Sequence, residues 1–379
     1  MFVPTFFAMP LFDELTCRIA LTCTHGVGPV IARKLLALMG SAEAIFADRS
    51  VLARNVEGIS DKLLNAFYAP ELITQAQGIA TWVREHCIDT YYVDDPRYPA
   101  LLGQCADAPS LLYYKGKADL MQRSHILSVV GTRSVTAYGR DCCHRIIQDL
   151  AKALPDLVIV SGLAYGVDVE AHSCALSAGL DTIAVLAHGL DRIYPHVHRR
   201  IAAQIVGQGG LLTEYPCGTN PDRYNFVARN RIIAGLSHAT LVIESSSKGG
   251  SLITARLANE YDRETLAIPG RISDRQSAGC NKLIASSEAT CVNGAEDILD
   301  YLNWGEGGKS GEEEEIFRDL PTNPDGAKIV DCLLRKGPMH IDQLGAILNL
   351  SAAQLLNTLF ELEFEGYVNS LPGGIYDLR

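Results

Sequence analysis

The 379-residue sequence lacks several features that would place it in a specialised class. It has no apolar run of the roughly 20 residues that a membrane-spanning helix needs. Its 11 cysteines include no Cys-x-x-Cys pair, and an odd number cannot pair fully, which argues against a disulfide framework and against common zinc motifs. With 47% hydrophobic and 20% charged residues, the composition excludes a mostly disordered chain.

Signatures of catalysis and nucleotide binding are also missing. The sequence contains neither Gly-x-Gly-x-x-Gly, nor Gly-x-x-x-x-Gly-Lys-Ser/Thr, nor Gly-x-Ser-x-Gly. The histidines His188, His196 and His198 cluster in the sequence, but their spacing matches no zinc helix motif. We therefore predict no catalytic residues, no metal and no cofactor.

A deficit of basic residues gives the chain a net charge of −11, which taken alone argues against a nucleic-acid binder. The deficit is concentrated at one end, because residues 301–379 contain 6 Lys and Arg against 13 Asp and Glu. The rest of the chain is close to neutral. Its basic residues can therefore create a local positive field if they gather on one face.

The order of predicted elements indicates three domains and a linker. We predict a helical SAM-like or helix-hairpin-helix-like domain in residues 1–85, a Rossmann-like core in 86–302, a flexible acidic linker in 303–324 and a winged helix in 325–379. In the core, short β-rich runs alternate with helical segments, which is typical of an extended parallel sheet covered on both faces. The predicted core strands are His125–Gly131, Leu157–Gly162, Asp181–Gly189, Gly210–Tyr215, Ala239–Glu244, Thr265–Pro269 and Thr290–Asn293.

Three loops of small residues follow predicted strands and open predicted helices. Such loops present backbone N–H groups at a helix N-terminus, and glycine lets a phosphate approach them closely. Because the loops end strands of one parallel sheet, we expect them to converge on one edge. Tight turns without a ligand are the alternative, although Arg133 and Lys248 put positive charge beside the glycines. The predicted phosphate- or DNA-binding residues of these loops are Gly131, Thr132, Arg133, Ser161, Gly162, Gly166, Lys248, Gly249, Gly250 and Ser251.

A second predicted binding cluster is Phe226, Arg229, Asn230 and Arg231. The two arginines are two residues apart, so on one helix they cannot share a face. We expect one of them to bind phosphate and the other to be tied into the structure. Phe226 either stacks on a base or packs in the interior.

The outer domains carry weaker signals. The segment Gly26–Leu35 resembles a helix-hairpin-helix, in which backbone N–H groups contact phosphate with help from Arg33 and Lys34; a packed helical domain without a ligand is an equal alternative. The third helix of the winged domain has no Lys or Arg, and Glu361 and Glu363 would face a DNA backbone unfavourably. We expect this domain to be a protein-contact or regulatory module, with a purely stabilising role as the alternative.

The ordered motifs of residues 90–300 resemble those of the DNA processing protein A family, also called DprA or Smf. In family order they are Gly131-Thr-Arg133, Ser161-Gly-x-Ala-x-Gly-Val-Asp-x-x-Ala-His172, Tyr194-Pro195, Glu214-Tyr-Pro216, Arg229–Ser237, Gly250–Ala255 and Ile268–Gly270. The resemblance implies a cytoplasmic protein of natural transformation that binds single-stranded DNA, protects incoming strands and helps to load RecA recombinase. It also implies a homodimer formed through the central domain.

The expected mechanism is binding without catalysis, in which backbone amides and basic side chains hold the phosphates of a single strand. The alternative is a nucleotide-binding or nucleotide-hydrolysing Rossmann-like enzyme of the lysine-decarboxylase-like group. Those enzymes carry a Pro-Gly-Gly-x-Gly-Thr loop beside a catalytic Glu. The nearest loop here, Lys248–Ser251, follows Glu244 but lacks the proline. A nucleotide sensor with no role in DNA binding is a third interpretation.

Overall fold

A computed structural model of the protein describes five stretches of the chain, which are residues 12–117, 123–305, 323–348, 350–371 and 374–378. The chain forms two compact units, Met1–Gly305 and Glu306–Arg379. Most of the predicted linker, residues 306–322, lies outside the described residues. None of the described helices combines the length and the apolar character needed to span a membrane.

Within the described residues, the first unit is built on a nine-stranded sheet with the order β1-β2-β6-β5-β4-β3-β7-β8-β9. The strands are β1 (Asp89–Tyr92), β2 (Leu111–Gly116), β3 (Ile126–Val130), β4 (Val158–Ser161), β5 (Asp181–Val185), β6 (Gly210–Thr213), β7 (Ala239–Val242), β8 (Glu264–Ala267) and β9 (Thr290–Cys291). All pairings from β6 across to β9 are parallel, whereas β1 and β2 form an antiparallel extension at one edge. The strand order changes direction between β3 and β7, and this creates a topological switch point.

Helices cover both faces of this sheet, as the predicted α/β fold requires. They are α1 (Glu14–Cys23), α2 (Pro29–Met39), α3 (Ala42–Ala47), α4 (Arg49–Asn55), α5 (Asp61–Phe67), α6 (Pro70–Glu85), α7 (Ala100–Gln104), α8 (Ala137–Ala153), α9 (Val167–Ser177), α10 (Arg199–Gln208), α11 (Arg223–Gly235), α12 (Ser251–Glu260), α13 (Ala278–Ala285) and α14 (Ala295–Tyr301). Alternate residues of β3 enter opposite cores. Leu127 and Val129 pack with α8 and α9, whereas Ile126 and Val130 pack with α11 and α12.

The predicted strands of the core all form, but every one of them ends earlier than predicted. The apolar run Ala239–Glu244, for example, contains a strand of four residues, Ala239–Val242. The reason is that Ile243 and Glu244 remain buried while the chain leaves the sheet. Burial therefore extends the hydrophobic pattern beyond the end of the strand. The buried residues that follow the strand begin the loops of the candidate site.

The N-terminal helices pack against the antiparallel edge of the sheet. Leu111 and Tyr113 of β2 join the core of α1–α6, whereas Leu112 and Tyr114 face the core of the parallel sheet. Arg33 of α2 donates hydrogen bonds to the carbonyls of Gly103 and Cys105 at 3.1 and 3.2 Å. Arg33 is therefore tied into the structure. The predicted domain boundary at residue 85 and the contact of the hairpin with phosphate stay predictions.

The second unit has the predicted winged-helix architecture. Its elements are α15 (Pro324–Lys336), β10 (Met339–His340), α16 (Ile341–Leu348), α17 (Ala352–Phe364), β11 (Val368–Leu371) and β12 (Ile375–Leu378). The strands form an antiparallel sheet in the order β10-β12-β11. Buried residues from all three helices, among them Ile329, Leu344 and Leu359, form one apolar core. The sequence pattern missed β10, because two residues are too few to display an alternation of apolar and polar side chains.

Candidate functional site

A pocket of about 250 Å³ lies at the carboxyl ends of β3, β4 and β7, at the switch point of the sheet. Ligands of open α/β sheets bind in this position because the loops on either side diverge there. Nine of the fourteen predicted site residues line the pocket, and they are Gly131, Thr132, Arg133, Phe226, Arg229, Asn230, Gly249, Gly250 and Ser251. The prediction that the loops converge on one edge is thus met by the geometry, while their binding of phosphate stays a prediction.

The loops after β3 and β4 are held in direct contact. Gly166 has a φ of +80°, which favours glycine, and a Cβ at this position would overlap the carbonyl oxygen of Thr132. The backbone N–H of Val167 donates to that same oxygen at 3.1 Å. Ser161 is fully buried and donates to the carbonyl of Val129 at 2.6 Å. Ser161 and Gly166 therefore shape the pocket from behind and do not line it.

The floor of the pocket contains a buried positive charge. Arg229 is 3% exposed, and its guanidinium donates to the carbonyls of Gly162, at 2.8 Å, and Val185. A Cβ on Gly162 would overlap the guanidinium, so glycine is required there. Burial lowers the pKa of Arg229, and the neighbouring carboxylate of Asp168 opposes this effect. The Arg229 guanidinium thus links the ends of β4 and β5 to α11.

Asp168 is the counter-charge in this floor. Burial raises the pKa of Asp168, and the positive charge of Arg229 counteracts that rise. Its carboxylate also accepts a hydrogen bond from the backbone of Ala164 at 3.3 Å. Asp168 lines the pocket but is not among the predicted site residues, since an acidic residue in the first turn of a helix ordinarily serves the helix itself.

The second arginine of the cluster points to a different network. The guanidinium of Arg231 forms an ion pair with Glu214 and donates to the carbonyl of Asp107 at 2.8 Å. Arg231 does not line the pocket. We expected one arginine to bind phosphate and the other to be tied into the structure. Both are in fact bonded within the protein, and only Arg229 borders the pocket.

The three helix N-termini at this edge are not equivalent. At α8, Glu244 accepts hydrogen bonds from the backbone and hydroxyl of Thr136 at 2.9 and 2.6 Å. Glu244 is 2% exposed, and both oxygens of its carboxylate are engaged by Thr136. At α9, the carboxylate of Asp168 in the first turn places a negative charge beside the helix N-terminus. No side chain caps α12, whose N-cap is Gly250.

Of the three, the α12 N-terminus is therefore the one that neither a capping side chain nor a nearby carboxylate occupies. A Cβ on Gly250 would meet no atom within 4 Å, so there is space for a ligand to reach the backbone. Ser251 donates to the hydroxyl of Ser245 at 2.9 Å, which fixes the preceding loop. Lys248 lies on this loop and is exposed. It does not line the pocket itself, but it is two residues from Gly250 and its flexible side chain can extend towards a bound anion.

Arginine and aromatic side chains form the rim of the pocket. The guanidinium of the exposed Arg133 lies over the ring of Phe226, 5.5 Å from its centroid. The ring of Tyr194 contacts the same phenylalanine with a centroid separation of 5.6 Å. Phe226 is half-buried, so it both packs and keeps part of its surface open. The sequence did not identify Tyr194 as part of this rim, because it lies 32 residues before Phe226.

Two of the clustered histidines are engaged in hydrogen bonds of the fold. His188 and His198 are buried and bond through Nδ1 to the carbonyls of Gly189 and Leu163, at 2.9 and 2.8 Å. In the described part of the chain, no group of three or more His, Cys, Asp or Glu side chains is arranged to hold a metal ion.

The fold and the site together define a doubly wound α/β protein with a pocket at its switch point and a separate winged helix. The family model for DNA recombination-mediator protein A matches residues 89–303, and that for the DprA winged helix domain matches residues 318–374. The chain belongs to the DNA recombination-mediator protein A family, known as DprA or Smf. This confirms the family that the ordered motifs predicted.

Individual relatives extend the match over almost the whole chain. The chain is 34% identical to Protein Smf of Synechocystis sp., over 97% of this chain and 99% of that protein. It is similar to the solved structure of DNA processing protein A from Streptococcus pneumoniae, with a TM-score of 0.66, 34% identity, and coverage of 76% of this chain and 98% of that one. A structure of the Helicobacter pylori protein, described for its single-stranded DNA binding mode, has a TM-score of 0.51 and 30% identity, covering 57% of this chain and 95% of that one.

Replacement of Arg229 by methionine tests the buried floor of the pocket. We expect Arg229→Met to lower the free energy of unfolding by about 3–5 kcal/mol, because it leaves the buried Asp168 without its counter-charge. The double variant Asp168→Asn/Arg229→Met should be less destabilised than the sum of the two single variants. Urea denaturation gives the free energy of unfolding of the wild type, the two single variants and the double variant. Additive losses, or an Arg229→Met chain within about 1 kcal/mol of the wild type, would contradict the coupling.

Proposed function

We propose that the chain binds single-stranded DNA at the carboxyl edge of its parallel sheet. The observation that carries this proposal is the convergence of an uncapped helix N-terminus, at Gly250 of α12, with the exposed cations Arg133 and Lys248. Helix N-termini bind phosphate through backbone N–H groups and the helix dipole. Membership of the recombination-mediator family, and the single-stranded DNA binding of the Helicobacter pylori relative, support DNA as the source of that phosphate.

The charges of this edge explain how an acidic protein can bind a polyanion. Within the described residues, Arg133 and Lys248 form no ion pair, whereas Arg231 is neutralised by Glu214. Asp168 and Glu244, two acidic residues beside the loops, are buried. The cations at the rim therefore act on a ligand with little local compensation. The acidic excess of residues 301–379 lies in another part of the sequence.

Exposed aromatic residues near the pocket can stack on the bases of a single strand. Tyr194 is 46% exposed and contacts Phe226, while Tyr165 is 48% exposed on the loop that follows β4. Tyr224 lies in the first turn of α11 and is 78% exposed. Aromatic rings stack on any base, and this makes binding tolerant of sequence. In this mechanism the phosphates contact the pocket, and the splayed bases lie on the aromatic residues of its rim.

The proposal extends to the biological role and to the assembly. We assign the chain no catalytic activity, since the binding groups position a strand without breaking a bond. The family description as a recombination mediator supports a cytoplasmic role in natural transformation, in which the protein protects incoming single strands and helps to load RecA. A homodimer formed through the central domain would present two phosphate-binding edges to one strand and raise the apparent affinity.

Loss of the rim cations tests the DNA-binding site. We expect Arg133→Ala and Lys248→Ala each to weaken binding of a fluorescent oligo-dT by about 1–3 kcal/mol, because each removes a charge-assisted phosphate contact. Each loss should also reduce the slope of log affinity against log salt by about 0.7. Fluorescence anisotropy across a salt series measures both quantities.

The matched control for these variants is Lys152→Ala. It removes the same charge from the last turn of α8, at the opposite edge of the sheet, and should leave the affinity unchanged. Equal losses in all three variants would mean that net charge, and not the pocket, determines binding. Full affinity in the double variant Arg133→Ala/Lys248→Ala would overturn the proposed function.

Assembly and RecA loading are tested separately. Light scattering on the chain truncated after residue 305 should give the mass of a dimer at tens of micromolar, a range in which weak assemblies persist. RecA polymerisation on single strands coated with single-strand-binding protein should be accelerated by the wild-type chain and not by Arg133→Ala/Lys248→Ala. A monomer in the first measurement would contradict the dimer. No acceleration by the wild type in the second would contradict the role in loading.

A further inference from the structure

The winged-helix unit exposes a row of large apolar side chains along its third helix. Leu356, Phe360 and Phe364 are 52%, 71% and 88% exposed. They are four residues apart, so they lie one above the other on a single face of α17. Exposed aromatic residues at such regular spacing mark an interaction surface rather than the scattered apolar residues of an ordinary surface.

This row lies on the side of α17 that faces away from the core. Leu355, Leu359 and Leu362 of the same helix are at most 2% exposed and pack in the core of the unit. At 100° per residue, the centre of the row is about 130° from the centre of these buried residues. The exposed Ala353 lies on the same face, three residues before Leu356. We call Ala353, Leu356, Phe360 and Phe364 the apolar stripe.

Acidic side chains border the carboxyl-terminal half of the stripe. Glu361 accepts a hydrogen bond from the side chain of Asn323 at 3.2 Å on one side, and Glu363 accepts one from the backbone of Ser370 at 3.4 Å on the other. Glu365 follows directly after the helix. The amino-terminal half differs, because its first turn contains no acidic residue. One end of the helix surface is thus acidic, and the other is uncharged.

We propose that the apolar stripe is an interface with a second copy of this chain, in which two α17 helices pair in antiparallel orientation. A twofold axis between Leu356 and Phe360 brings Phe364 of one copy within one residue of the level of Ala353 of the other, which is the nearest small residue on the same face. The largest side chain of the stripe then meets the smallest, and Leu356 meets Phe360. Such self-complementarity is what a twofold symmetric interface requires.

The charges favour the same orientation. Antiparallel pairing places Glu361, Glu363 and Glu365 of one copy beside the uncharged first turn of the other helix, where the helix dipole is positive. Parallel pairing would align the acidic ends with each other at a coulombic cost. The absence of Lys and Arg from Ser351–Phe364 also makes this surface unsuited to a nucleic acid. The interface is independent of the proposed DNA site and of the dimer through the central domain.

Photo-crosslinking of the full-length chain tests the pairing directly. A benzophenone amino acid replaces Phe364, and ¹⁴N- and ¹⁵N-labelled chains are mixed before irradiation. The proposal predicts crosslinks between heavy and light chains that map to residues 351–356, around Ala353. The additional change Leu356→Glu should abolish them. Crosslinks confined to one chain, or intermolecular crosslinks to other regions of the sequence, would overturn the antiparallel interface.

A second measurement uses the strength of self-association. Sedimentation of the full-length chain over a concentration series should show that Phe360→Glu weakens, at least tenfold, the self-association that exceeds that of the chain truncated after residue 305. Leu334→Glu introduces the same charge at a residue of α15 that is 51% exposed and should have no effect. Because Phe360 is largely exposed, its variant should retain the circular dichroism spectrum of the wild type. Unchanged self-association of a folded Phe360→Glu chain would contradict the proposal and favour a basic amphipathic segment of a different protein as the occupant.

Discussion

The candidate site depends on one buried interaction, that of the Arg229 guanidinium with the carbonyls at the ends of β4 and β5 beside Asp168. A buried guanidinium is stable only where carbonyl oxygens and a counter-charge replace its water. Gly162 makes room for it, and Asp168 also accepts from the loop backbone. The position of α11, which carries Phe226 and Asn230 to the pocket, follows from this contact. The exposed cations then act on a framework that is already rigid.

The sequence could predict the sheet and the place of the site, because both depend on local patterns. Apolar β-rich runs identify the strands, and small residues after them identify the loops. In a parallel sheet all strand ends of one kind lie on the same edge, so the convergence of Gly131, Gly162 and Gly250 follows from the topology. The lengths of the strands were overestimated since burial continues beyond the sheet, as Ile243 and Glu244 illustrate.

The roles of individual charged residues could not be predicted in the same way, because they depend on partners distant in sequence. Arg229 and Arg231 are near neighbours, yet one bonds to Gly162 and Val185 and the other to Glu214. Likewise, three helix N-termini looked equivalent in the sequence, but Glu244 occupies one of them through a contact 108 residues away. In the winged helix the absence of cations was visible from the sequence, whereas the exposure of Phe360 and Phe364 required the packing of α17.

In the proposed mechanism the pocket holds the phosphates of the strand, and the aromatic rim holds its bases. The most direct measurement compares the affinities for an oligo-dT and for a base-free deoxyribose phosphate oligomer of equal length. Phe226→Leu should lose about 1–3 kcal/mol on oligo-dT and clearly less on the base-free strand, because it removes the ring that stacks on a base and leaves both rim cations in place. Arg133→Ala should weaken the binding of both strands. A Phe226→Leu variant that loses equal affinity for both strands, or an Arg133→Ala variant that binds the base-free strand as well as the wild type does, would contradict this account.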